Sequence, residues 1–186
     1  ICHHKNDYLR YKSIFENNEK YKNKLIKYLP HHANPEIFNF KNLKKDIDIL
    51  ISGNVKPKHY PLRYKLYKLL YADGTPEKLS KYNIVYLPHA SNEEKDFYTD
   101  CSLIEYANYI NRSKICIGCS SKHNYRLGKY VEISMCGSLI LGDIPFEEKE
   151  TMKDFLIHID INTSDDIIIE NIIEHLENKE IYNYKQ

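Results

Sequence analysis

From residue 46 onward the chain alternates short β-branched runs with longer amphipathic stretches, and this rhythm constrains the fold more than any other feature. The runs are DIDILISG, YNIVYLP, KICIGC, SLILGD and LIHID. Each has the length and composition of a buried strand. The stretches between them include PLRYKLYKLLYADG, SLIEYANYINRS, YRLGKYVEISMCG and FEEKETMKDF, and SDDIIIENIIEHLENK follows the last run. The first of these sets Leu62, Leu66, Leu69 and Leu70 at helical spacing and stops at Gly74. The last has Ser164 or Asp165 as its N-cap. EEKDFYTD reads as a loop or short helix. Strands alternating with helices predict βαβ units with right-handed crossovers. The expected fold is a Rossmann-like three-layer α/β domain with a parallel sheet of about five or six strands. Ligands in such sheets lie beyond the carboxyl ends of the strands, where the strand order reverses. The loops at those ends begin at Gly53, Pro88, Cys119, Gly142 and Asp160.

Residues 1–45 are polar and only weakly periodic. SIFENNEKYKNKLIKYL has helical character, and PHHANPEIFNF, with two prolines, reads as an irregular connector. The expected division is therefore a connector or extension from a preceding domain over 1–45 and one domain over 46–186. The chain begins at Ile1 rather than Met, so it is expected to be a piece of a longer polypeptide. Lys and Arg total 27 against 26 Asp and Glu, a balance that argues against a nucleic-acid binder despite the local cluster Lys56, Lys58, Arg63, Lys65 and Lys68. No apolar run is long enough to span a membrane. Five cysteines, an odd number, with no secretory leader point to reduced thiols and a cytoplasmic location. Abundant Lys, Asn, Ile and Tyr fit an AT-rich genome (a protist, a bacterium or a large DNA virus) and say nothing of function.

The chemistry concentrates in GKYVEISMCGSLILGDIP. On a helix over 125–136, Leu127, Tyr130, Val131, Ser134 and Met135 share one face, the stripe expected to pack on the sheet. Tyr125, Gly128, Lys129 and Glu132 share the other. Lys129 and Glu132 are an i, i+3 pair, which on a solvated face amounts to a weak surface ion pair. The preceding loop, CSSKHNYRLG, is small and polar and feeds a helix N-terminus suited to phosphate. A glutamate about two turns into that helix could accept from two adjacent ribose hydroxyls. Phosphate at the helix start and ribose on Glu132 describe a nucleotide-sugar site.

NYRLGKYVEISMCGSLILGDIP resembles the donor-binding motif of GT-B fold glycosyltransferases of the "glycosyl transferases group 1" type. YLPHHANPEIF resembles the interdomain connector of that family, and DIDILISGN its first C-terminal strand and glycine loop. EYANYINRSKICIGCSS and FLIHIDINTSDDIIIENIIEHLENKE are similar to the elements before and after the motif, so the likeness covers 28–182. The resemblance implies the C-terminal, donor-binding half of an enzyme that moves a sugar from a nucleotide diphosphate to an acceptor. It implies Glu132 on the donor ribose and Lys129, with Arg126 as a rival, facing the diphosphate. Gly53 and Asn54 would lie in the first loop, with Arg63 adding charge there, and Gly128, Tyr125 and His123 near the donor. It also implies no required metal or cofactor, and an N-terminal domain upstream that binds the acceptor. Two departures stand out. Many retaining members carry a glutamate eight residues before the ribose glutamate, where this chain has Asn124, and their loop glycine lies one residue before Gly128. The retaining mechanism therefore does not carry over, and the catalytic residues stay unassigned.

Cys116 and Cys119 form CIGC, but no second ligand pair at matching spacing accompanies them and they sit on a strand, so they read as core thiols. His3–His4 and His31–His32 are neighbours that point apart on an extended chain and chelate poorly. The tyrosines interleaved with lysines in RYKLYKLLY could stack bases, yet the leucines at helical spacing make that stretch a core helix. The alternative to glycosyl transfer is a non-enzymatic α/β module that binds nucleotides or a protein partner.

Overall fold

The computed structural model describes residues 1–88 and 101–178, so EEKDFYTD lies outside the described residues. The chain forms two compact units, Ile1–His32 and Ala33–Gln186. In the first, helix α1 spans Lys5–Glu16, and Cys2 bridges to Tyr28. The helix expected over SIFENNEKYKNKLIKYL is thus shifted toward the N-terminus, and two asparagines account for its end. Asn17 Nδ2 donates to the carbonyl of Ser13 at 2.8 Å, and Asn18 Oδ1 accepts from the Lys20 amide at 3.0 Å. Asn side chains that compete for backbone groups in this way close helices. The His3 and His31 rings stack at 4.9 Å, a packing role for those histidines.

The second unit is built on a five-stranded, wholly parallel sheet of order β2-β1-β3-β4-β5. Its strands are β1 Ile47–Ser52, β2 Ile84–Leu87, β3 Ser113–Ile117, β4 Leu139–Gly142 and β5 Leu156–His158. Helices α2 Pro61–Tyr67, α3 Leu103–Asn111, α4 Gly128–Met135, α5 Lys149–Met152 and α6 Asp165–Glu177 cover it. This is the Rossmann-like three-layer arrangement that the alternation predicts. Strands buried on both faces explain the continuous apolar runs. Leu50, Cys116 and Ile140 stand in register on one face and pack with Ala107, Ile110, Tyr130 and Ile133 of α3 and α4. Ile49, Ile115 and Leu139 stand in register on the other and pack with Leu62 and Leu66 of α2 and Ile168 and Ile172 of α6.

Local chemistry sets the helix ends. Ser102 and Glu105 form a reciprocal capping box on α3, and Ser164 alone caps α6 by accepting from the Ile167 amide. Beyond Tyr67, α2 widens into one π-type turn over Lys68–Ala72, where the Asp73 amide reaches the Lys68 carbonyl at 3.1 Å, and ends before Gly74 at φ +94°. α4 begins at Gly128 rather than at Tyr125, because Leu127 and the residues before it are extended or turned, with Asn124 at φ +57°.

Residues 33–45, read from sequence as the end of the connector, lie in the second unit. Phe38 is buried, and Asn111 holds the segment by donating to Asn39 O and accepting from the Lys41 amide. Lys45 Nζ donates to Gly137 O at 2.7 Å and Ser138 Oγ at 2.9 Å, a cation at the C-terminus of α4.

Candidate functional site

The strand order reverses between β1 and β3, and sheets of this kind bind ligands beyond the carboxyl ends of the strands at such a point. β1 ends in Ser52 and then Gly53, whose φ of +87° turns the chain out of the sheet. That glycine also permits a close approach. A Cβ at Gly53 would lie 3.1 Å from Lys129 Cε and 3.6 Å from Arg63 Nη1. Two cations from opposite helical layers, α2 and α4, therefore meet over the end of β1.

Arg63 is only 2% exposed. Its Nη1 donates to Asn54 O at 3.0 Å and its Nη2 to Cys119 O at 3.3 Å, which ties the loop after β1 to the loop after β3. The Tyr60 ring lies under the guanidinium at 4.4 Å. Arg63 Nε is buried and has no acceptor. A buried, charged donor without a partner is costly and calls for an anionic acceptor.

Lys129 departs from the expected geometry. The sequence pattern set it opposite the packed stripe, but the residues of α4 that pack on the sheet are Tyr130 and Ile133, followed by Cys136, and Lys129 turns inward beside them. Val131 and Met135 are half-buried and Ser134 is exposed. α4 starts only at Gly128, and its eight residues are too few for the apolar stripe alone to fix which face packs. The ammonium does not form the anticipated surface pair with Glu132. It donates to Ser52 Oγ at 2.8 Å and to Tyr106 Oη at 2.7 Å, over the edge of β1 and under α3. Burial first, and the Arg63 charge second, bring its pKa down from 10.5 to about 7.

Glu132 is half-buried, one turn into α4. Its carboxylate folds back over the helix start, because a Cβ at Gly128 would lie 3.1 Å from Glu132 Oε1. The absent side chain at Gly128 is what leaves it room. Burial raises the Glu132 pKa, while the Lys129 charge and the Tyr106 hydroxyl oppose that rise.

The structure thus brings together Gly53, Asn54, Arg63, Gly128, Lys129 and Glu132. The other sequence candidates sit elsewhere. Arg126 is engaged with acids: its Nη1 donates to Glu148 at 2.9 Å, and its amide donates to Glu147. His123 is exposed and stacks on Tyr125 at 5.5 Å, on the loop before α4. Asn54 Oδ1 accepts from the Lys56 amide, so its side chain shapes the loop after β1. Two participants escaped the sequence reading, Ser52 and Tyr106. A hydroxyl beside the apolar stripe of an amphipathic helix needs a partner, and that was the available signal for Tyr106.

A third group lies at the ends of β3 and β4. The Asp143 carboxylate accepts from the Ser120 amide at 2.8 Å and from the Ser120 hydroxyl, and Tyr130 Oη donates to Asp143 O at 2.7 Å. This network fixes the loop that leads to α4. The CIGC thiols face opposite layers, Cys116 toward α4 and Cys119 toward α2 and α6. They cannot share a metal or a disulfide in this arrangement. Burial pushes the Cys116 thiol up to about 12 and raises Cys119 as well. Among the described residues, no group of three His, Cys, Asp or Glu side chains could hold a metal ion, and no helix is long and apolar enough to cross a membrane. No protein-family model and no curated protein matches this chain.

Proposed function

We propose that the second unit binds a nucleotide-diphosphate sugar at the carboxyl ends of β1 and β3 and serves as the donor-binding part of a glycosyltransferase. One observation carries this reading: Arg63 and Lys129 converge on Gly53 from opposite layers, with the carboxylate of Glu132 at the start of the same helix as Lys129. Lys129 uses two of its three N–H groups on Ser52 and Tyr106, and the buried Arg63 guanidinium adds its charge beside them. These donors suit the diphosphate and would offset the charge that develops on it as the leaving group departs. Glu132 suits the two adjacent hydroxyls of a ribose. The acceptor site and any general base would come from an N-terminal domain preceding this chain, in the reducing environment that five free thiols suit.

Calorimetric titration with UDP-glucose, GDP-mannose, TDP-glucose and ADP-glucose tests the reading. At least one is expected to bind, and folded protein that binds none would refute it. TDP-glucose, which lacks the 2′-hydroxyl, is expected to bind about tenfold more weakly than UDP-glucose through loss of one charged hydrogen bond. Glu132→Ala is expected to weaken the best ligand about 100-fold. An unchanged affinity in that variant would remove Glu132 from the ribose role. Sugar release from the bound donor, followed with and without candidate acceptors, separates an enzyme component from a binding module.

A further inference from the structure

We propose that two Lys-His pairs, Lys58–His59 and Lys122–His123, form a second anion site at the carboxyl edge of the sheet, and that it takes a phosphate monoester carried by the acceptor; the acceptor role, though not the anion site, rests on the nucleotide-sugar reading. The segments KPKHY and SSKHNY lie in the loops that follow β1 and β3, which are neighbours in the sheet. Arg63 joins these loops near the strands, through Asn54 O and Cys119 O. Farther along, the Lys122 amide donates to the His59 carbonyl at 2.9 Å. The backbone itself therefore sets the two pairs side by side. All four residues are exposed. A tyrosine backs each pair. The His59 ring lies 6.4 Å from that of Tyr60, which sits under Arg63, and the His123 ring stacks on Tyr125 at 5.5 Å.

Charge decides what such a pairing holds. Neither 53–61 nor 118–127 contains an Asp or Glu. Neither Lys58 nor Lys122 forms an ion pair among the described residues. Two lysines of the basic cluster seen in the sequence are engaged elsewhere: Lys65 reaches Ile161 O, Thr163 O and Asp165, and Lys68 pairs with Asp73. Lys58 is left uncompensated, and the fold brings Lys122 to it from a distant loop. A donor diphosphate has its own cations in Arg63 and Lys129, so the second set is available to a different anion. A phosphate monoester carries a charge of about −1.5 to −2 at neutral pH and three strong acceptor oxygens. Two ammonium groups match that charge, and the imidazole N–H groups can donate to the oxygens. A carboxylate brings one charge, and a neutral sugar hydroxyl brings none.

Titration of the full chain, saturated with UDP, tests the site with glucose 6-phosphate, glucuronate and glucose as probes. The ring signals of His59 and His123 in NMR spectra report contact directly. Glucose 6-phosphate is expected to shift both rings and to bind about fivefold more tightly than glucuronate, the worth of one further ion pair near 4 Å in water. Glucose should shift neither. Added salt should weaken the binding, as it does for exposed charges. Lys58→Gln and Lys122→Gln should each weaken glucose 6-phosphate about fivefold by the same measure, with a smaller loss for UDP-glucose. Ring signals that stay in place, or glucose 6-phosphate bound no better than glucuronate, would overturn the proposal. Equal losses on both ligands would return the lysines to the donor and overturn it too. If UDP and UDP-glucose fail to bind the wild type, the donor reading falls, and the same titration of the ligand-free chain decides the phosphate site alone. Vesicles of phosphatidylcholine containing phosphatidic acid separate the sources of the monoester. Retention above that on phosphatidylglycerol vesicles makes it lipid-borne, and ring shifts with glucose 6-phosphate without such retention make it soluble. Equally strong retention on phosphatidylglycerol, a diester, would overturn the choice of a monoester.

Discussion

Gly142→Ala is expected to leave the second unit unfolded. A Cβ at Gly142 would fall 1.9 Å from the carbonyl oxygen of Gly118 and 2.8 Å from its carbon. Both atoms are backbone of the adjacent chain, which is held by the bond from Gly118 N to Leu141 O at 3.1 Å. Gly142 is itself clasped on its other side, where its carbonyl accepts from Ile159 at 3.0 Å. Neither neighbour can move without breaking the sheet at its carboxyl edge. The loss should exceed about 4 kcal/mol, the range reserved for lesions of this kind. Gly118→Ala supplies the comparison, since its Cβ would meet Ile140 Cγ2 at 2.6 Å, a side-chain methyl that can shift. That change should cost about 1–3 kcal/mol. Urea unfolding of both variants reads the order, and a cooperative, near-native transition for Gly142→Ala would contradict the strand spacing described here.

Lys129→Met is expected to act in opposite directions on stability and on binding. Lys129 has its pKa lowered in the folded chain from 10.5 to about 7. Between those values the unfolded lysine holds a proton that the folded one has released. The unfolded state therefore binds more protons there, and stability rises with pH through that window. Below about pH 7 the buried charge is present in full and its cost is greatest. Replacing it with an apolar side chain of similar length should stabilise the domain at pH 7 by about 1 kcal/mol, the low end of what exchanging buried charge for apolar groups yields, because Ser52 Oγ and Tyr106 Oη, 3.3 Å apart, can still pair with each other. The rise in stability from pH 7 toward 9 should vanish with it. Above pH 9 the buried thiols reverse the trend, since their ordinary value is 9.0 and burial raises Cys116 and Cys136 to about 12 and 11. There the unfolded thiol loses a proton that the folded one keeps. Nucleotide-sugar affinity should fall by about tenfold in the same variant, through loss of the one N–H that Ser52 and Tyr106 leave free. A variant that loses stability and keeps affinity would mean that Lys129 is a structural cation only.

Much of this architecture was legible before any coordinates. Continuous apolar runs such as DIDILIS and SLILG are what strands buried on both faces look like, and their alternation with helices left little freedom in topology. Glu132, Lys129, Gly53 and Arg63 were named from resemblance and spacing; Lys129 and Arg63 meet at Gly53, and Glu132 lies over Gly128 on the helix that carries Lys129. The orientation of Lys129 was not. A helical wheel begun at Tyr125 carries three residues that are not helical, and α4 is too short for its stripe to fix its rotation. Tyr106 and Ser52 were missed for a related reason: their significance depends on α3 lying over the end of β1, a tertiary fact with no local signature. Arg126 looked interchangeable with Lys129 because its acidic partner, Glu148, lies 22 residues away along the chain.

The placement of the five thiols makes the chain its own reporter of opening. Cys116, Cys119 and Cys136 are sealed in the layers on both sides of the sheet, while Cys2 and Cys101 are half-buried. A pulse of a thiol reagent on the native chain should modify the latter two first. The other three should react only as fast as the sheet and its flanking helices separate. Timed mass spectra would then give the opening rate of each layer without a fluorophore or an engineered residue. The same spectra taken with and without a nucleotide sugar would show whether it slows the opening of either layer.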